Sequence, residues 1–253
     1  MELKAFIEIM EQIAPPELAM EWDNVGLLIG PEATEIRKVL VALDCSVAVA
    51  KEAVQWGAQL VLTHHPLFFA PVKRMLPDNP ETAAAYALIR GGVGLYAAHT
   101  NLDTAPGGVN DALSAALGLC EAVPFGDGMG RVGTLEQPVP VMEFAAMAGR
   151  ALHTRVTLCG PRDAMVRRVA VLGGAGGEVL FEAKAAGADV LVTGETKHHN
   201  GLAATVVGLP MVVAGHYETE KVVLQPLITR LQGLTDDVQY KLAQSDASPF
   251  VQL

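Results

Sequence analysis

The strongest constraint on this chain is an alternation of short, fully apolar runs with stretches of helical spacing. Val- and Leu-rich runs at residues 39–43, 60–63 and 93–98 alternate with helical patterns at 48–56, 81–89 and 110–117. A helix at residues 3–14 precedes them, with Leu3, Phe6, Ile7, Met10 and Ile13 on one face and Pro15-Pro16 as its end. Runs with no polar alternation read as strands buried on both faces. Strands separated by helices need right-handed crossovers, so the fold class is α/β with mainly parallel sheets.

The second half repeats this plan, with strands expected at 169–172, 190–193 and 211–214 and a helix at 179–186. The repetition reaches individual letters. Residues 53–65 align with 183–195, sharing the first Ala, a Gly-Ala pair (Gly57-Ala58 and Gly187-Ala188) and a Thr (Thr63 and Thr193). Residues 94–103 and 209–220 each end an apolar run on a His followed by an acid. Two similar α/β halves are therefore expected, 1–125 and 126–253, joined near the glycine-rich residues 124–131, with a C-terminal segment that can pack back on the first half.

In open parallel sheets, ligands bind beyond the carboxyl ends of the strands. The unusual polar residues of this chain follow its apolar runs: His64 and His65 after the first, His99 and Asp103 after the next, and His216 and Glu220 in the second half. Pro66 disfavours continuation of the strand, so the bent chain can turn both adjacent imidazoles to one centre. His216 and Glu220 are four apart, on one face of a helical turn. Three imidazoles and two carboxylates suit two borderline divalent ions such as zinc, iron, manganese or cobalt, and disfavour calcium and magnesium. A pair of ions about 3.5 to 4 Å apart holds a bridging hydroxide at neutral pH. His99 is open to three roles: a ligand, a partner that orients Asp103, or a general acid or base; the orienting role is adopted. Glu195, with His198 and His199, follows the strand equivalent to the one before His64, where it can relay protons or support a ligand; a helix-start Glu with two surface histidines is the plain alternative.

Other signals are weaker. Gly173, Gly174, Gly176 and Gly177 follow a strand and precede a helix, but their spacing fails the dinucleotide fingerprint, because the third required glycine falls at Val179. Serine-nucleophile chemistry lacks its motif. Cys45, Cys120 and Cys159 form no paired motif and read as small buried hydrophobes in a reduced compartment. The net charge of −10 argues against nucleic acid as a partner. No apolar run approaches the roughly 20 residues of a membrane span, and residues 1–8 carry acids where an export signal places positive charge. A cytoplasmic protein is expected.

Several motifs in order resemble the Nif-three-like family, whose members carry the label GTP cyclohydrolase 1 type 2 homolog: Glu21-Trp22-Asp23-Asn24-Val25-Gly26-Leu27, Thr63-His64-His65-Pro66, His99-Thr100-Asn101-Leu102-Asp103, Thr193-Gly194-Glu195, and Gly215-His216-Tyr217 with Thr219-Glu220. The match runs nearly end to end. The resemblance implies two α/β halves, a toroidal homohexamer, and a dinuclear metal site on His64, His65, Asp103, His216 and Glu220, with Glu220 bridging. Longer relatives carry a central inserted domain, for which residues 119–131 leave no room, so the chain corresponds to the short form. Metal-dependent hydrolysis of a small, nucleotide-like substrate is the function this implies. A metal carrier and a ring-shaped scaffold are the alternatives, since no guanine pocket is legible in the residues.

Overall fold

The computed structural model describes residues 1–251, and the chain divides into two compact units. The first comprises Met1–Ala105 and Leu224–Ala247; the second comprises Pro106–Val223 with the tail from Ser248.

In chain order the elements of the first unit are α1 (Leu3–Ile13), β1 (Gly26–Ile29), β2 (Lys38–Ala42), α2 (Val47–Trp56), β3 (Leu60–Thr63), α3 (Ala83–Arg90), β4 (Gly94–Ala97) and α4 (Thr100–Thr104). The second unit follows with α5 (Val109–Ala116), β5 (Cys120–Phe125), β6 (Gly130–Pro140), α6 (Val141–Ala151), β7 (Thr157–Cys159), β8 (Met165–Leu172), α7 (Leu180–Ala185), β9 (Val190–Thr193), α8 (His198–Val207), β10 (Met211–Val213) and α9 (His216–Glu220). The chain then returns to the first unit as α10 (Leu224–Gln232) and β11 (Gln239–Leu242).

The first sheet has the order β1-β4-β3-β2-β11, parallel throughout except at the β1-β4 edge. Along β2 the side chains alternate between two buried faces. Leu40 and Ala42 pack with Val49, Ala50 and Ala53 of α2 and Ala84, Ala85 and Leu88 of α3. Val39 and Val41 are equally buried on the other face. Burial on both faces explains why these strands carry no polar alternation.

The second sheet, β5-β6-β8-β9-β10-β7, is mixed and not mainly parallel: β8, β9 and β10 form a parallel centre, and the β5-β6, β6-β8 and β10-β7 pairs are antiparallel. One face places Val169, Val171, Val190, Val192 and Val212 against α5 and α6, and the other places Ala170, Leu191 and Met211 against α7 and α8. The division between units also differs from the expected join at 125. It falls after Ala105, because α5 packs its Leu113 and Leu117 into the second core and β5 pairs with β6 as a hairpin. The glycine-rich residues 126–129 are the turn of that hairpin.

The letters shared by the two halves carry the same backbone chemistry. Gly57 and Gly187 end α2 and α7 at φ 71° and 77°, a left-handed conformation open to glycine, and the next amides, Ala58 N and Ala188 N, donate back to Ala53 O and Ala183 O. The residue after each Ala also has a common task. Gln59 Oε1 accepts from the amides of Arg37 and Lys38, and Asp189 Oδ2 accepts from those of Arg167 and Arg168. In both sheets the residue just before the neighbouring parallel strand therefore caps the backbone of the basic pair, Arg37-Lys38 at the start of β2 and Arg167-Arg168 within β8.

Of the cysteines, only Cys45 is buried; Cys159 is half-buried and Cys120 exposed, because β5 is an outer strand. Burial, with Asp44 adding to it, pushes the Cys45 thiol up to about 12. Among the described residues, no helix is long and apolar enough to cross a membrane.

β11 adds to β2 in parallel, and the segment after it is latched. Glu52 accepts hydrogen bonds from Lys241 Nζ (2.8 Å), the Ser245 amide and hydroxyl, and the Gln244 amide. Asp246 Oδ2 accepts from the Leu43 amide at 2.7 Å. Burial opposes ionisation of Glu52, but the bonds from Lys241, Ser245 and Gln244 outweigh it and hold the carboxyl at about 2 against an ordinary 4.5. A depressed folded pKa stabilises above the unfolded value and is lost as pH falls through the folded one. Glu52→Gln should therefore cost about 1–3 kcal/mol at pH 7, with the deficit shrinking between pH 4.5 and 2, as read from urea unfolding across that range.

Candidate metal centre

In the first unit, β3 and β4 are parallel neighbours, with Thr63 opposite Ala97, so their carboxyl ends open side by side. His64 and His65 follow one strand and His99 the other. The ligand-competent atoms of these three imidazoles lie within 4.8 Å of one another, and His64 Nε2 is 3.6 Å from Asp103 Oδ1. Asp103 reaches this position from α4, a single helical turn that His99 begins. His64 is buried, and the side chains of His65 and His99 are mostly covered.

Each ring is held by its Nδ1 atom. His64 Nδ1 is 2.9 Å from Ala98 O, His65 Nδ1 is 2.8 Å from Asp44 Oδ1, and His99 Nδ1 is 2.9 Å from Asp23 Oδ1. A carbonyl or carboxylate oxygen only accepts, so Nδ1 carries the hydrogen and donates. The neutral ring then carries its lone pair on Nε2, the state a metal-binding imidazole requires. Asp23 also accepts from the Thr100 amide (3.0 Å) and the Thr100 hydroxyl. Burial opposes its charge, yet these bonds with that of His99 hold its carboxyl well below the usual carboxylate range.

The second unit builds its part in the same way. β9 and β10 are parallel neighbours, with Thr193 opposite Val213, and Glu195 and His216 follow them. His216 Nε2 is 3.1 Å from Glu220 Oε2, one helical turn away on α9, and His216 Nδ1 is 3.2 Å from Glu195 Oε1. The glycine-rich residues 173–177 support this pair. Gly174 sits at φ 60°, and a Cβ there would lie well inside contact distance of Glu220 Oε1. Its amide donates to Thr219 Oγ1 at 3.1 Å, and the Gly173 amide donates to Asn110 Oδ1 at 2.8 Å. Those glycines leave room for a buried carboxylate, which accounts for the run without a bound phosphate.

Within each unit the expected residues meet: His64, His65, His99 and Asp103 in the first, and His216, Glu220 and Glu195 in the second. Glu195 contacts His216 Nδ1, so it orients that ring. His198 and His199 are exposed on the first turn of α8. Sequence reasoning missed Asp44, and it gave Asp23 no role. Both had a signal available: Asp44 directly follows the apolar run of β2, and Asp23 lies in the Glu21–Leu27 motif. The residue types fit a divalent metal, with imidazoles of fixed tautomer beside buried carboxylates.

Removal of the carboxylate behind a ligand should weaken metal binding without unfolding the chain. Asp44→Ala and Glu195→Ala are each expected to lower affinity for zinc or manganese roughly 10–100-fold, measured by calorimetric titration. Gly174→Ala should also lower it, by displacing Glu220.

Comparison with known proteins shows the family of the chain. A family model described as Duf34/NIF3 (NGG1p interacting factor 3) matches residues 1–249. A Clostridium perfringens protein named GTP cyclohydrolase 1 type 2 homolog is 33% identical over 259 aligned residues, covering 99% of each chain. Among solved structures, a Bacillus cereus protein related to NIF3 superposes with a TM-score of 0.90 at 26% identity, covering 100% of this chain and 99% of the other. Reduced HcgD from Methanocaldococcus jannaschii superposes with a TM-score of 0.82 at 31% identity, covering 96% and 98%. With its whole length matched in sequence and in fold, the chain belongs to the Duf34/NIF3 family.

Proposed function

We propose that this protein is a metal-dependent hydrolase whose two sets of donors serve one dinuclear centre. His64, His65 and Asp103 of the first unit and His216 and Glu220 of the second would hold two divalent ions, with Glu220 as the shared carboxylate. The observation that carries this reading is the fixed tautomer of His64 and His65, each with an oxygen acceptor at Nδ1, beside His216, whose ring lies between the carboxylates of Glu195 and Glu220. When bound, such ions supply Lewis acidity and bring the pKa of water near neutrality.

The chain's own residues then have separate tasks. Asp44 and Glu195 fix the rings of His65 and His216. His99, oriented by Asp23 and close to His64, is placed to hold or pass a proton at Nε2. The substrate is proposed to be small and nucleotide-like, in keeping with the names its relatives carry. A homohexamer is the proposed assembly.

A second reading, a metal carrier, is favoured by one observation: the side chains of His65 and His216 remain 19% and 32% exposed, which allows exchange of an ion. Elemental analysis should find about two divalent ions per chain, and His64→Ala with His65→Ala should remove most of them; full retention defeats the assignment. Metal-loaded protein screened against nucleotides, phosphoesters and cyclic amides should show turnover that Glu220→Gln abolishes. No turnover with rapid metal exchange favours the carrier. Light scattering should give a mass six times that of the chain.

A further inference from the structure

Two large aromatic side chains stand exposed beside the histidines of the first unit. Trp22 is 62% exposed and Phe69 is 56% exposed. Their ring centroids are 6.0 Å apart at 45°, and each lies edge-on to His99, at 6.0 Å for Trp22 and 5.7 Å for Phe69. His99 in turn lies 5.1 Å from His64 and 5.5 Å from His65. The aromatic pair therefore borders the imidazole cluster directly.

The pair is also fixed in place from beneath. The residue after Trp22 is Asp23, whose covered carboxylate grips His99 and Thr100. Asn24 follows, and its Nδ2 donates to Phe68 O at 2.6 Å, next to Phe69. The Met20 amide donates to Thr100 Oγ1 at 3.0 Å. Three successive residues thus tie one exposed aromatic, the ring of His99 and the segment that carries the other exposed aromatic into one arrangement. Exposed aromatic surface is costly in water and worth retaining where it meets a ligand. Phe69 also lines a cavity of about 620 Å³ with Phe68, Lys73, Arg74, Asn79 and Glu81, a volume in the range of small-molecule sites.

We infer that Trp22 and Phe69 form a stacking platform for a planar heteroaromatic ring, which holds the substrate beside His99 while the cavity next to Phe69 receives the rest of the molecule. This rests on the reading of the neighbouring histidines as a metal centre and specifies the class of substrate it takes. A flat ring suits the pair because aromatic faces attract it by stacking regardless of its hydrogen-bonding edge. Asp23 and Asn24 are positioning residues for the platform.

The chain has two tryptophans, so Trp56→Phe leaves Trp22 as the sole indole reporter. Titration of that protein with guanosine monophosphate should quench its fluorescence saturably, whereas ribose 5-phosphate, which lacks the ring, and choline, a compact cation, should not. Phe69→Ala in this background, and Trp22→Leu followed by calorimetry, should each weaken binding about tenfold and keep the wild-type metal content. Absence of saturable quenching, an equal response to ribose 5-phosphate or choline, unchanged affinity in Phe69→Ala, or a ligand-free emission shift with protein concentration that marks a second copy covering Trp22 would each overturn the platform. Repetition after chelation separates the two readings. Ring binding that persists while no metal is found in the untreated protein defeats the centre alone, and metal retained without ring binding defeats the platform alone.

Discussion

The Nδ1–H groups of His64, His65 and His99 donate to Ala98 O, Asp44 and Asp23, and the candidate metal centre depends on those three bonds. An imidazole free to rotate and to change tautomer loses entropy and hydrogen-bond energy when it takes a metal. A ring already held through Nδ1 has met those costs during folding, and its Nε2 has the electron pair a ligand needs. The acceptors are drawn from strand ends and from the Trp22–Asn24 segment, so the folding of each unit sets the donor geometry.

The two units meet this demand with one plan. In each, a helix ends on a left-handed glycine, a buried strand follows, and a side chain at the strand's start caps the amides of the neighbouring parallel strand, Gln59 in the first and Asp189 in the second. Parallel pairing then brings two strand ends to the same level, where the polar residues emerge. The strands can be wholly apolar because helices cover both faces of each sheet, and polar chemistry is confined to the loops beyond them. Around this shared centre the sheets differ, the second being extended by the β5-β6 hairpin and β7 in antiparallel pairing.

The glycine-rich run after β8 shows how a local signal takes its meaning from its neighbours. By letters it resembles a phosphate loop with faulty spacing. In the folded unit, Gly174 faces the carboxylate of Glu220 at a distance that no Cβ could share. Its conformation and its missing side chain both serve a buried acid. Likewise, the basic pairs Arg37-Lys38 and Arg167-Arg168 lie where Gln59 and Asp189 cap backbone amides of β2 and β8.

The sequence by itself determined the alternating α/β plan, the likeness of the halves, and the candidate ligands. Each of these follows from local pattern: apolar periodicity, Gly-Ala turns, and histidines or acids placed just after buried runs. Only the tertiary structure decided what lies behind each ligand. Asp44 and His65 are 21 residues apart, and Asp23 and His99 are 76 apart, so no local pattern joins them; strand pairing and the anchored 20–24 segment do. It also decided where the units divide, because α5 and β5 follow the first unit in sequence but bury their apolar faces in the second core. The residue type of a candidate ligand is legible in the chain. The orientation of a ligand is a property of distant partners and waits for the fold.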